Sequence, residues 1–297
     1  MAEISDKPSI DKLFLHRGIH FLKGVITPEE IDAIEHFPIR DSDVFLVTYP
    51  KSGTVWMQQI LSLIYHDGHH NKTENLETVD RAPWLEYNFK KVNFEQRPSP
   101  RLFTTHLPYY LVPKGLKTKK AKVIYVTRNP KDSLASYFHF NNMLRKFSEN
   151  PTIMMEEHFD DYLNGKVIAG SWFDHVKGWY THKDEFNILF LQYEDMVKDL
   201  RGAVLKICSF VGKGMDDQTV DTIVERATFK NMKKDVTANY EKLVQKETPK
   251  TLTFLRKGTI GDWKNVMTVA QNEKFDKVFQ EKMKDVPIKF IWDINEN

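Results

Sequence analysis

The chain has 297 residues, 41% hydrophobic and 28% charged, with a formal net charge of +2. That length and composition suit a globular domain with one large buried core, and so balanced a charge gives no bulk reason to expect a nucleic acid as partner. One cysteine, Cys208, excludes an internal disulfide and a cysteine-based zinc site; its apolar surroundings read as a buried thiol in a reducing compartment. The N-terminal stretch Met1–Lys7 has no apolar signal region, and no run nears the ~18 apolar residues of a membrane span. The expectation is a cytoplasmic protein with no membrane partner.

Taken in chain order, Val44–Tyr49 predicts a buried strand. The turn Pro50–Thr54 follows, then a helix over Val55–Tyr65 with Val55, Trp56, Ile60, Leu63 and Ile64 on one face. The polar stretch 66–80 places His66, His69 and His70 around Asp67; a metal would need a second cluster of ligands, so a solvated loop is expected and no metal. A short run, Arg101–Thr105, ends at His106 and Pro108. Lys122–Thr127 is a β-branched strand, after which Asn129 can cap a helix that has Pro130 at its first position and runs from Lys131 towards Phe147. Ile188–Tyr193 is another strand, followed by a helix from about Met196 to Val211. The polar segment 233–251 is long enough for a lid. Thr268 with Gln271 makes a capping box for a last helix. Strands alternating with helices predict an α/β fold, a central parallel sheet flanked by helices on both faces. Ligands bind such sheets at the carboxyl ends of the strands. The turns holding Lys51, His106, Arg128 and Tyr193 should therefore open on one edge.

Three elements carry anion chemistry. In Tyr49–Thr54 a strand feeds a turn that feeds a helix, so unpaired amides point at an anion, Gly53 allows close approach, Ser52 and Thr54 add hydroxyls and Lys51 adds charge. This is not the common nucleotide P-loop, because Lys51 precedes the glycine. A magnesium-dependent kinase would also want an acidic residue where the strand Lys122–Thr127 ends in Arg128. The second element is Arg256-Lys257-Gly258, two cations before a glycine; the plain alternative is a charged surface turn. The third is Arg128 with Ser136, set across a strand-to-helix turn. Three such elements imply a ligand with more than one phosphate-like group.

Together, in this order, these motifs resemble the cytosolic sulfotransferase family, over a span from about Val44 to Glu296 within a single domain covering 1–297. Thr48–Trp56 is similar to the family's 5′-phosphosulfate loop, Arg256–Gly258 with Gly261–Lys264 to its 3′-phosphate loop, and Arg128–Asp132 with Ser136 to its other 3′-phosphate element. The resemblance implies a P-loop-like site for 3′-phosphoadenosine 5′-phosphosulfate (PAPS) as co-substrate, with PAP as product. Lys51, Ser52, Gly53, Thr54 and Val55 would hold the phosphosulfate. Trp56 would stack on adenine, with Tyr193, Thr228, Phe229 and Met232 completing that site. Phe254, Leu255, Arg256, Lys257, Gly258, Arg128 and Ser136 would take the 3′-phosphate side. The plain reading of Trp56, Phe229 and Phe254 is core packing.

The resemblance further implies that His106 is the general base and that Lys51 stabilises the leaving phosphate as the sulfuryl group passes to a hydroxyl or amine of a small hydrophobic acceptor. Trp84, Tyr87, His106 and Phe140 match positions that wall the acceptor pocket. Phenol- and estrogen-type members carry a lysine two residues before the histidine; this chain has Thr104. The stretches Arg81–Asn88, His106–Lys117 and Pro287–Glu296 look closer to the amine-sulfotransferase branch. Glu86 has two readings, a partner for a cationic amine or an ordinary surface glutamate. Lys264–Glu273 is similar to the family's dimer segment, which implies a homodimer through Lys264, Thr268, Val269 and Glu273. Two rivals stand beside this reading: a magnesium-dependent nucleotide kinase, and a module that binds the nucleotide without turnover.

Overall fold

The computed structural model describes residues 13–69, 75–147, 150–241 and 254–295. An N-terminal hairpin, β1 (Leu13–His16) and β2 (Ile19–Leu22), precedes α1 (Pro28–Ile34). The central sheet holds β3 (Val44–Thr48), β4 (Leu102–Thr105), β5 (Lys122–Thr127) and β6 (Ile188–Gln192), all parallel, in the order β4-β3-β5-β6. Around it lie α2 (Thr54–Tyr65), α3 (Thr78–Arg81), α4 (Pro130–Phe147), α5 (Met155–Leu163), α6 (Trp172–Thr181), α7 (Tyr193–Lys198), α8 (Leu200–Val211), α9 (Asp217–Arg226), α10 (Phe229–Lys234) and α11 (Val269–Met283).

The strands are apolar on both faces because helices cover both. Phe45, Val47, Val123 and Tyr125 point into one core with Trp172 and Trp179 of α6. Their neighbours Val44, Leu46, Ile124 and Val126 point into a second core with Ile60 and Ile64 of α2 and Val204 and Ile207 of α8. This is the period of two expected of a strand, doubled in apolar content by two-sided cover. Burying each of these aliphatic or aromatic side chains contributes about 1.5–3 kcal/mol. At the entry end of the sheet, the buried Arg101 guanidinium donates to both carboxylate oxygens of Asp43, at 2.8 and 2.5 Å, and to the Pro38 carbonyl at 2.7 Å, tying β4 to β3.

The register pairs Val47 with Thr105, Thr48 with Val126 and Thr127 with Gln192, so all four strands leave the sheet at one edge. Two boundaries differ from expectation. Tyr193 opens α7 instead of closing the strand. The helix expected over Met196–Val211 is two helices, broken at Asp199, whose carboxylate accepts the Gly202 amide at 2.8 Å and caps α8. Elsewhere local chemistry holds: the Asn129 side chain accepts the Lys131 amide at 2.9 Å at the start of α4, and Thr268 and Gln271 form the capping box of α11. Cys208 is a buried free thiol.

Candidate active site

Each strand exit delivers one functional side chain to a single cavity of about 860 Å³: Lys51 after β3, His106 after β4, Arg128 after β5 and Tyr193 after β6. The turn after β3 is tight. Lys51 has φ +68° and Gly53 φ +93°. A non-glycine residue in that region costs of order 1–3 kcal/mol and persists only where neighbours hold it; here the Arg128 guanidinium donates to the Lys51 carbonyl at 2.9 Å. A β-carbon on Gly53 would stand 2.7 Å from the Tyr193 ring, so only glycine fits. No side chain caps α2, which leaves its first amides free for an anion. Thr54 and Val55 line the cavity. Ser52 does not: it is fully buried beside the turn, with its hydroxyl unpartnered.

The second anion limb comes from the far end of the chain. Arg256 and Lys257 both pair with Asp262, each at 2.5 Å. Burial would push that carboxyl up, but hydrogen bonds from Lys257, Asn265 and Arg256 hold it down at about 2. The limb is docked on α4 by Asp132, which accepts the Gly261 and Trp263 amides at 2.8 and 3.0 Å, and by Arg128, which donates to the Thr259 carbonyl at 3.2 Å. Gly258 has φ +66°, and a β-carbon there would lie 2.4 Å from the Phe229 ring. Phe254, Leu255 and Gly258 line the cavity, as does Ser136 from α4. Beside them, Trp56 and Tyr193 meet edge to face at 5.3 Å, and the Trp56 indole donates to the Ala227 carbonyl at 2.7 Å. Thr228, Phe229 and Met232 complete this wall. Trp56, Phe229 and Phe254 all line the cavity, and Trp56 and Phe254 also pack against buried residues, as the plain reading had it.

Lys51 and His106 stand between the cationic and apolar ends. The Lys51 ammonium lies over the Phe140 and Phe254 rings, at 4.3 and 4.4 Å. Burial, then the charges of Arg128 and Arg256, push its pKa down to about 7. His106 is held on three sides. Its Nδ1–H donates to the Thr48 carbonyl at 2.6 Å, its backbone N–H donates to Glu86 Oε1 at 2.7 Å, and its carbonyl accepts from His175 Nε2 at 3.1 Å. A carbonyl only accepts, so the proton of the neutral ring sits on Nδ1 and Nε2 keeps a bare lone pair. Burial pushes His106 down to about 3; the Thr48 carbonyl opposes this, and His175 and Lys51 add to it.

The apolar end is walled by Trp84, Tyr87 and Phe140, with the Trp84 ring 4.5 Å from His106. Sequence reasoning missed Leu22 and Val25 beside the hairpin, Phe89, Met143, Ile168 and Tyr240, which also line it. They come from six separate places in the chain, and no local pattern marks them. The surface reading of Glu86 is overturned. It is buried, it accepts from His106, and burial raises its carboxyl to about 7; it is not among the residues lining the cavity. Glu194, not singled out in the sequence, does the same at the neighbouring exit: it is buried, accepts the Asn129 amide at 2.8 Å, and burial raises it to about 7. Of the three loop histidines, His70 lies outside the described residues; among the described residues no group of His, Cys, Asp or Glu could hold a metal. Most of the candidate lid, 242–251, also lies outside them.

A parallel sheet whose exits present free helix amides, Lys51, Arg128 and a freed imidazole to one cavity, joined there by Arg256 and Lys257 from the far end of the chain, defines an anion-binding site. The sulfotransferase domain family matches residues 41–287, and the chain belongs to the sulfotransferase family. It is similar to the amine sulfotransferase of the rabbit, Oryctolagus cuniculus, with 55% identity over 94% of this chain and 93% of that one. It is 41% identical to the 3-alpha-hydroxysteroid sulfotransferase of the guinea pig, Cavia porcellus, over 93% of this chain and 96% of that one. The solved structure of mouse sulfotransferase SULT7A1 complexed with PAP superposes with a TM-score of 0.74 at 32% identity, covering 92% of this chain and 95% of that one. Retinol dehydratase with retinol and PAP shares the fold, with a TM-score of 0.81 at 22% identity over 93% and 90% of the two chains. The chain is thus a PAPS-dependent sulfotransferase.

Proposed function

We propose that this chain moves the sulfuryl group of PAPS to an amine or hydroxyl of a small apolar acceptor, with His106 as general base and Lys51 steadying the leaving phosphate. One observation carries the reading: His106 and Lys51 line one cavity, and because His106 Nδ1 is spent on the Thr48 carbonyl, the ring nitrogen with a lone pair to offer is Nε2. The acceptor oxygen or nitrogen attacks sulfur, its proton passes to His106 Nε2, and the sulfur–oxygen bond to the phosphate breaks. Charge growing on that phosphate oxygen is met by the Lys51 ammonium and the amides opening α2. Arg128, Arg256, Lys257 and the Gly258 amide suit the 3′-phosphate, and the wall of Trp56, Tyr193, Thr228, Phe229 and Met232 suits adenine. Among the described residues Arg128 and Arg256 each keep a buried Nε–H without a partner, as a site built for a polyanion would. The similarity to an amine sulfotransferase puts amines first among acceptors, and among the described residues no carboxylate lines the cavity, which suits the neutral amine that attack requires.

The test is transfer from radiolabelled PAPS to phenols, hydroxysteroids, alcohols and arylamines, with His106→Ala alongside. Loss of a general base should lower kcat about 10²–10⁴-fold while PAP still binds. Bound PAPS with no transfer to any acceptor by the unaltered protein would overturn the reading in favour of a binding module.

A further inference from the structure

Thr104 occupies the place of the lysine found in phenol-type relatives, and its surroundings show what it does instead. It is fully buried on β4. Its hydroxyl donates to the Ala82 carbonyl at 3.0 Å and accepts from Gln58 Nε2 at 2.9 Å; the same amide nitrogen donates to Ala82 at 2.9 Å. At its other end Gln58, also fully buried, accepts the Tyr240 phenol at 2.6 Å. Tyr240 lies in the apolar cluster against which Trp84 packs. Trp84 is tied to Thr104 through its neighbours: the Thr104 amide donates to the Pro83 carbonyl and the Leu85 amide to the Thr104 carbonyl, both at 2.8 Å. Thr104 and Gln58 thus fix Tyr240 through side chains and Trp84 through the backbone, and both aromatics line the cavity.

This chain of hydrogen bonds holds something that would otherwise move. Tyr240 has φ +63°, a conformation a tyrosine keeps only under restraint. Its ring packs on Phe254 at 5.1 Å, and Phe254 covers the Lys51 ammonium. Satisfied buried polar networks fix geometry in a way apolar packing does not, because hydrogen bonds are directional. We infer that Thr104 and Gln58 are positioning residues that set the gap between Trp84 and Tyr240 and thereby select the acceptor.

This inference rests on the sulfuryl-transfer reading, and its test separates the two. Kinetics with the preferred acceptor of the panel, and PAP affinity by calorimetry, are measured for Thr104→Val, Thr104→Ser, Tyr240→Phe and the Thr104→Val/Tyr240→Phe pair. Loss of either link should raise acceptor KM by about 3–10-fold, the worth of one hydrogen bond, with PAP affinity unchanged. The double variant should be no worse than the poorer single one, since both break the same chain of hydrogen bonds. Thr104→Ser, which keeps the hydroxyl, should return KM to near the unaltered value. If Thr104→Val does not fold, Gln58→Met takes its place in the cycle. A silent Thr104→Val, multiplicative effects in the double variant, or a serine as poor as valine would each overturn the inference while leaving sulfuryl transfer standing. An unaltered protein that binds PAPS and transfers nothing would overturn the parent reading instead.

Discussion

At the residue scale, burial pushes the pKa of both proposed catalytic groups down. His106, pushed down to about 3, stays neutral through the whole physiological range, so no proton blocks its Nε2 lone pair. Lys51, pushed down to about 7 by burial and by Arg128 and Arg256, is charged below that pH and loses its proton above it. A bound polyanion favours the charged form. PAP binding should therefore take up protons at pH 8, where free Lys51 is neutral, and take up few at pH 6, where it is already charged. Calorimetry in two buffers of different ionisation heat reads this directly, and PAP affinity should weaken as pH rises past 7. Equal proton uptake at both pH values would show that Lys51 does not titrate there.

At the element scale, the strand exits are held by devices that act through the backbone. Gly258 permits φ +66° and leaves room for Phe229. Gly258→Ala should weaken PAP binding by about 10-fold or more, because the left-handed conformation and the 2.4 Å approach both become costly. The two buried carboxyls, Glu86 behind His106 and Glu194 behind Asn129, both rise from 4.5 to about 7 on folding. In that window the folded state holds more protons than the unfolded one. Their contribution to stability is thus complete below pH 4.5 and is lost as pH rises through 7. The melting temperature of the Glu86→Gln/Glu194→Gln variant should lack that part of the fall, and an unchanged pH slope would mean that these carboxyls do not titrate in the window.

At the scale of the whole molecule, α11 begins at a capped, exposed corner: Val269 is 76% exposed, and Lys264 pairs with Asp293 nearby. The similarity of Lys264–Glu273 to the family's dimer segment makes this corner the proposed contact between two copies. Light scattering at micromolar concentration should give the mass of a dimer, and Val269→Glu should give that of a monomer with turnover retained. A monomeric mass for the unaltered chain would remove the proposal.

The sequence by itself determined the sheet, because strands covered on both sides must be apolar without alternation, as Val44–Thr48 and Lys122–Thr127 are. Turn chemistry is local, a glycine, a cation and a helix start being read within a few positions, and it pointed to Lys51, Gly53, Thr54, Arg128, Ser136, Arg256, Lys257 and Gly258, which line the cavity; the aromatic positions rested on the family resemblance. Tertiary structure alone decided which ring nitrogen of His106 is free, since that depends on the Thr48 carbonyl, and it alone buried Glu86 and Glu194. It also assembled the far wall of the cavity from Leu22, Phe89, Ile168 and Tyr240, and linked Thr104 through Gln58 to Tyr240. Burial and hydrogen-bond partners are properties of residues distant in the chain, and no window of sequence contains them.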